Sequence, residues 1–508
     1  MGRALRLGAW LLPIAFIGIA FYWPLGNIAA RGLTNEALIT LADPRNLVAI
    51  WFTLWSSLAS VALCLVAGIP LAYALYRTRF LGSVLLRNFM TVPFVLPTIV
   101  VAMALQPIRW LDSWLVILIA NVFLNLAVVV RTVGSVWRTL DLHPDAAAEL
   151  DGASKFTVIW RIHLPQLRSA IFSAAALVFL YCATSFGIVL VLGSTSARSI
   201  ETVTYFALNQ RLDFNTASAL ALVQTLITVI AFAISTRRIS NQDDLSLQTP
   251  ARANRVTAIA TWFCLACFFV IPLGEILVKG LRVDALVRLS TLGDRGLLDI
   301  SVWQALGNSL RNAIVAAAIA MLIGTLVAKL SAGRPWVQFF WVMPLGISAV
   351  MLGFGYLVSF GAGPLPLRSS WLVVPLVQAV FAVPLVVRQV ASALGSVPIE
   401  LAESAATAGA GRWQIWRTIE APLLAAPLRN AAAFALLVSI GEFGAASLLS
   451  YGDQATLPVV LYRLISRPGE SNYSMALATA ALLILFAVAM VSVTSLDRSR
   501  RRLSSIER

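Results

Sequence analysis

Charge is what this sequence has least of. Only 12% of its 508 residues are Asp, Glu, Lys or Arg, against roughly 25% in an average soluble domain, while 59% are hydrophobic. So few charges cannot cover a water-exposed surface of this size. A soluble multidomain protein is excluded, and lipid must be the solvent for most of the surface. Lysine occurs only at Lys155, Lys279 and Lys329, and no G-x-x-x-x-G-K-[ST] phosphate loop is present, so the chain cannot bind ATP by that route. Two histidines cannot supply much of a metal site. The four cysteines (Cys64, Cys182, Cys264, Cys267) all fall in apolar runs, give no disulfide framework, and read as buried structural thiols.

The charges that are present are mostly basic, with a net charge of +15, but they form no patch of the kind that binds nucleic acid. They sit in short clusters between apolar stretches: Arg3 and Arg6; Arg77, Arg79 and Arg87; Arg237, Arg238, Arg252 and Arg255; Arg498, Arg500, Arg501 and Arg502. That placement follows the positive-inside rule and attraction to anionic headgroups.

A helix needs roughly 20 apolar residues to cross the hydrocarbon core. By that measure about twelve spans are expected, at 8–28, 50–75, 89–107, 113–134, 170–192 and 216–236, then 257–278, 305–329, 338–360, 370–391, 428–449 and 473–494. The first run follows Arg3 and Arg6 but is too long for a signal peptide and lacks a small-residue cleavage site, so it reads as a span. An even count places both termini in the cytoplasm, together with every basic cluster, the polar linker 237–256 and the basic tail 495–508.

Adding 257 to a residue number exposes an internal repeat. Ser113-Trp114-Leu115 meets Ser370-Trp371-Leu372, Arg131 meets Arg388, Gly152-Ala153 meets Gly409-Ala410, and Pro165 meets Pro422. Phe186-Gly187 meets Phe443-Gly444, Tyr205 meets Tyr462, and Asn215 meets Asn472. Earlier segments align with small shifts, such as Gly68 with Gly324. Trp, Arg, Gly, Pro, Asn and Tyr held in one register are not an accident of apolar composition. The expected fold is an all-α membrane protein of two tandem, parallel six-helix repeats, 1–236 and 257–494, with a transport path at their interface.

Both halves place their longest cytoplasmic loop between the fourth and fifth spans, at about 135–169 and 392–427. Each reads as two short helices around a glycine. Small residues (Ala146, Ala147, Ala148; Ser404, Ala405) allow close approach by another surface. Gly152 and Gly409 permit a turn at positive φ. Apolar residues that follow (Phe156, Ile159, Trp160; Trp413, Ile415, Trp416) can present a helix face to a groove. Proline, at Pro165 and Pro422, is expected to stop that helix before the next span.

The spacing E-A-A-x₃-G-x₉-I-x-L-P resembles the signature loop of permease subunits of ATP-binding-cassette importers. It is carried by Glu403, Ser404, Ala405, Gly409, Ile419 and Pro422, with Ala421 in place of leucine. The first copy has Ala146 where the glutamate stands but keeps Gly152, Ile162 and Pro165. The resemblance implies the type I importer permease fold and a coupling helix in each loop that docks on a separate ATPase. It implies two ATPase copies, which would use ATP and Mg, no cofactor on this chain, and a periplasmic or lipid-anchored solute-binding protein at the outer loops. It further implies a bacterial inner membrane.

Cargo is harder to read. Glu442, expected inside the eleventh span, is a lone carboxylate whose repeat mate is Ser185. With Phe186 and Phe443 these residues are candidates for the path, a single acid there suiting a cationic cargo. Asn121, Asn125 and Gln378 read as packing hydrogen bonds. Ser439 to Gly444, Thr456-Leu457-Pro458 with Leu461-Tyr462, and Ile200-Glu201 with Tyr205 look like the fused permeases for thiamine and thiamine pyrophosphate. Fused ferric-iron permeases look similar, and polyamine and molybdate permeases share the loop. A secondary transporter, also buildable from two six-span halves, would not need the enlarged loop in both.

Overall fold

The computed structural model describes residues 3–141, 143–236, 251–252, 255–331, 334–361, 370–395 and 399–504. Arg237, Arg238 and most of the linker 237–256 therefore lie outside the described residues. Helix dominates because a lipid-exposed chain must satisfy its own N–H and C=O groups. Among the described residues it is joined by a two-residue parallel pairing of Thr78–Arg79 with Ala251–Arg252.

Among the described residues, ten helices are long and apolar enough to cross a membrane: Gly8–Gly32 (span 1), Pro44–Tyr76 (span 2), Ser113–Trp137 (span 4), Phe156–Ala183 (span 5), Phe214–Ser235 (span 6), Arg255–Gly280 (span 7), Val302–Leu330 (span 8), Val373–Gly395 (span 10), Trp413–Gly441 (span 11) and Glu470–Ser492 (span 12). The third and ninth spans, expected as single helices, are broken. Ser83–Val95 meets Thr98–Ala104, and Phe340–Gly346 meets Ala349–Gly361, each pair bent by 105°. Pro97 accounts for the first break, because its ring drives Leu96 out of the helical region to ψ 141°. The second follows Pro344, where Ile347 is extended at φ −119° and ψ 143°.

Do the broken helices cross? Trp55 packs on Trp114 at 6.0 Å, Asn121 Nδ2 donates to Ser60 Oγ at 3.2 Å, Gly68 abuts Val129, and Tyr76 abuts Gly134. Residue numbers rise together, so spans 2 and 4 run parallel and the broken pair between them must return the chain across the bilayer. Arg311 over Trp371 at 4.7 Å and Gly324 against Val386 give the same result for spans 8 and 10. Counting each broken pair as one span brings the candidate crossings among the described residues to twelve.

The chain divides into two compact units, Asn35–Ala285 and Met1–Thr34 with Leu286–Arg508. Each contains five consecutive spans of one sequence repeat and the first span of the other. The means of attachment is local. In span 1, Pro24 has no N–H to offer the Ala20 carbonyl, and the Tyr356 hydroxyl donates to that carbonyl at 2.8 Å. Asn27 Nδ2 donates to Ser359 Oγ at 3.0 Å, and a Cβ at Gly355 would stand 2.9 Å from Pro24 Cβ. In span 7, Phe268 and Phe269 pack on Phe123 with ring centroids 5.5 and 4.7 Å away. Both first spans widen into a π turn just before a proline, at Gly18–Tyr22 and Ala266–Val270. Cys64 and Cys182 are buried, but Cys264 and Cys267 are exposed, contrary to the expectation for all four. Both line an open cavity between span 7 and spans 2 and 4, with Pro70, Leu71 and Leu126.

The repeat persists as contacts. Thr53 Oγ1 accepts from the Ile200 N–H at 3.0 Å, and Ser309 Oγ accepts from the Leu457 N–H at 2.7 Å. Phe186 packs on Tyr205 at 5.2 Å, and Phe443 on Tyr462 at 5.6 Å. A Cβ at Gly68 would fall 2.7 Å from Val129 Cγ1, and one at Gly324 2.7 Å from Val386 Cβ. Gly68→Leu should therefore lose about 1–3 kcal/mol by overpacking. Gly26→Leu, where a Cβ meets nothing within 4 Å, should be near neutral. Thermal unfolding in detergent checks this; equal midpoints would contradict the close helix approach.

Candidate coupling site

The two loops adopt one geometry. Helix His143–Leu150 ends at Gly152, which takes φ +80°, and helix Ile399–Thr407 ends at Gly409, which takes φ +87°. The N–H of Ala153 donates to Ala148 O at 2.9 Å and that of Ala410 to Ala405 O at 3.0 Å, closing the same glycine cap in both copies. A second short helix then begins, Lys155–Val158 or Arg412–Ile415.

Proline does not stop that helix. It runs on through a π turn, Ile159–His163 or Trp416–Glu420, past Pro165 or Pro422 and into span 5 or span 11. The wider turn relieves the clash a proline ring makes with the preceding turn, so the helix survives. The coupling segments are thus continuous with membrane helices, and spans 5 and 11 begin within the stretches expected to be loop. They also end earlier than expected, at Ala183 and Gly441.

The outer face of each loop is apolar and exposed. Phe156 and Trp160 stack at 6.2 Å, and Trp413 and Trp416 at 4.9 Å. Leu150 and Leu401 join them as exposed large residues that spacing alone did not single out. Ala147, Gly152, Glu403, Ser404, Gly409 and Pro422 are exposed, with Ala148, Ile162, Ala405 and Ile419 partly covered. Exposed apolar faces on an otherwise polar loop mark a surface for a protein partner.

The inner face of the first loop carries a polar cluster. Asp145 Oδ2 pairs with Arg77 Nη2 at 2.6 Å, and Asp145 Oδ1 meets His163 Nε2 at 2.7 Å. Arg77 Nη1 donates to Leu140 O at 3.0 Å, and Trp137 Nε1 donates to His163 Nδ1 at 3.0 Å. Arg77, Trp137 and His163 are buried. Arg77 had read as a topology-setting charge, and the sequence reading did not single out His163 or Asp145. No pattern in the sequence sets Asp145 apart from its neighbours Asp141, Glu149 and Asp151; the fold alone brings it to Arg77 and His163.

Both loops fall inside segments that match a known family. Residues 64–242 and 314–502 each match the family described as "Binding-protein-dependent transport system inner membrane component". The chain belongs to that family. It is similar to the "Thiamine transport system permease protein ThiP" of Haemophilus influenzae, with 25% identity covering 94% of this chain and 93% of the relative. The proteins of the same name from Brucella abortus strain 2308 and Escherichia coli K12 are 27% and 26% identical, covering 89% and 87% of this chain and 88% and 87% of the relatives. As a binding-protein-dependent permease, the chain is a multi-pass inner-membrane component of an ATP-binding-cassette importer rather than an enzyme. It works with an ATPase and a binding protein.

In this permease the candidate path residues lie at matched helix breaks. Span 5 ends at Ala183, and its carbonyl accepts from Gln224 Nε2 at 2.8 Å. Ser185 precedes the short helix Phe186–Leu192; its hydroxyl is buried with no hydrogen-bond partner, and Phe186 is buried. Span 11 ends at Gly441, so Glu442 lies just beyond it, in an extended backbone rather than inside the helix. Glu442 Oε1 accepts from Ala445 N at 2.7 Å and Oε2 from Ala446 N at 3.1 Å, while Phe443 is buried beside it. The carboxylate ties down the start of a new helix. Asn121 and Asn125 make packing bonds, the latter to Asn121 O at 2.9 Å and to Cys182 Sγ at 3.4 Å. Gln378 is buried as well.

Glu442→Ala should cost about 1–3 kcal/mol, since two buried N–H groups lose their acceptor. Glu442→Gln keeps one acceptor and should cost less. Thermal unfolding of the detergent-purified protein checks the order, and equal midpoints for wild type and Glu442→Ala would remove the capping role.

Proposed function

We propose that this chain forms the translocation pathway of an importer for thiamine or its phosphate esters. The single observation that carries the importer reading is the duplicated loop. Its glycine cap, exposed aromatic pair and continuity with a membrane helix give a docked partner direct purchase on spans 5 and 11. The cargo reading rests on relatives named for thiamine that align over about nine-tenths of both chains. A buried acid such as Glu442 suits the cationic thiazolium ring of thiamine by charge, although its present bonds are to backbone.

Two ATPase copies would dock, one beneath each loop, and would use ATP and Mg. Both termini and both loops lie on the cytoplasmic side in this reading, and a periplasmic or lipid-anchored binding protein delivers cargo from the other side. ATP binding draws the coupling segments together, and because each runs unbroken into a span, the displacement passes into the membrane as a lever. ATP needs only to favour one of two packings of the helices.

Gly409→Trp places a bulky side chain at a φ that non-glycine residues adopt at a cost of about 1–2 kcal/mol, and on the docking face. The variant should insert normally and lose uptake of labelled thiamine in a reconstituted system with ATPase and binding protein. Normal uptake would sink the coupling assignment.

A further inference from the structure

The two loops share their outer face but not their attachment to the membrane helices. In the first copy Asp145 points inward to Arg77 and His163. In the second copy Glu403, one repeat position later, is exposed, as is Glu400 one turn before it. A shift of one residue turns a side chain by about 100° around a helix. Asp145 thus faces inward, while Glu403 on the matching helix faces outward.

The partners are exchanged too. The repeat mates of Asp145, His163 and Trp137 are Ala402, Glu420 and Leu394, which cannot reproduce the cluster. The second loop instead has Lys329 over the Trp416 ring at 5.8 Å, a contact of the weaker, exposed class. The first cluster joins four elements: Arg77 follows span 2, Trp137 ends span 4, Asp145 lies on the coupling helix, and His163 lies in the π turn leading to span 5. Hydrogen-bond roles are fixed throughout. An indole can only donate, so His163 Nδ1 accepts from Trp137 and Nε2–H donates to Asp145 Oδ1. Arg77 fills the other carboxylate oxygen, with a second bond to Leu140 O.

We propose that Arg77, Asp145, His163 and Trp137 form a positioning cluster that locks the first coupling helix to spans 2, 4 and 5, while the second coupling helix is loosely held and offers Glu403 to the ATPase. The inference rests on the loops being the ATPase-docking elements. The first joint transmits motion stiffly through buried charge. The second orders itself against its partner.

Hydrogen–deuterium exchange of the permease alone in nanodiscs tests the lock without any ATPase. Wild-type amides of 143–151 should exchange at least about tenfold more slowly than those of 399–407, and Asp145→Asn should abolish most of that difference. In proteoliposomes with ATPase and loaded binding protein, Asp145→Asn should still hydrolyse ATP but move at least about fivefold less cargo per ATP. Glu403→Ala should instead weaken ATPase binding at an unchanged cargo-to-ATP ratio. If Asp145→Asn fails to accumulate, the pair Arg77→Met with Asp145→Leu removes both charges and leaves neither unpaired; the same results are expected of it. Equal exchange of the two helices in the wild type overturns the lock. Faster exchange with an unchanged cargo-to-ATP ratio overturns the role in coupling. A wild-type permease that binds no ATPase overturns the docking reading and the coupling role with it, while the exchange contrast decides the lock independently.

Discussion

A polypeptide in hydrocarbon has no water to turn to, so each helix break must supply its own hydrogen-bond partners. The architecture follows from how those breaks are satisfied. Tyr356 serves the carbonyl that Pro24 leaves, Gln224 serves the end of span 5, and Glu442 caps the helix after span 11. Thr53 and Ser309 take the first N–H groups of matching helices in the two halves. Because Tyr356, Gln224, Thr53 and Ser309 each lie on another span, those breaks also fix a neighbour, while Glu442 closes its break locally. The points where the chain leaves helix are the points where the bundle is tied together.

That constraint explains which features could be read in the sequence. Span number, the 257-residue repeat and the two coupling loops follow from apolar length and from rare residues in one register, and these properties are local. Pro97 and Pro344 stand in the sequence, yet whether a proline bends, breaks or is absorbed depends on the turn around it. The same residue type breaks the third span and is carried through by a π turn at Pro165. Glu442 stood out as a rare buried acid, but its bonds to the backbone of Ala445 and Ala446 depend on a break that no periodicity encodes. The grouping of each first span with the other repeat's helices was equally hidden, because it is made by single contacts such as Gly355 on Pro24.

Duplication produced two loops with the same cap and the same outer surface, but later substitutions distinguished their inner faces. The Arg77–Asp145 pair is nearly dry, and a buried charge that loses its partner is costly, by about 3–5 kcal/mol. Such a pair contributes definition of geometry more than net stability. On a segment that must convey displacement from a soluble engine to membrane helices, definition of geometry is the useful property. The described residues of the second loop show no such cluster, and Glu400 and Glu403 face outward.

The account's central claim is an ATP-driven importer permease worked through two coupling loops. Its most direct test is reconstitution of the purified permease with its ATPase in liposomes, followed by a panel of binding proteins, each loaded with its own ligand. The account predicts that the thiamine-loaded protein stimulates ATP hydrolysis and drives thiamine inward only when ATP is present on the loop side. Uptake that proceeds without ATP, or hydrolysis indifferent to every loaded binding protein, would contradict it.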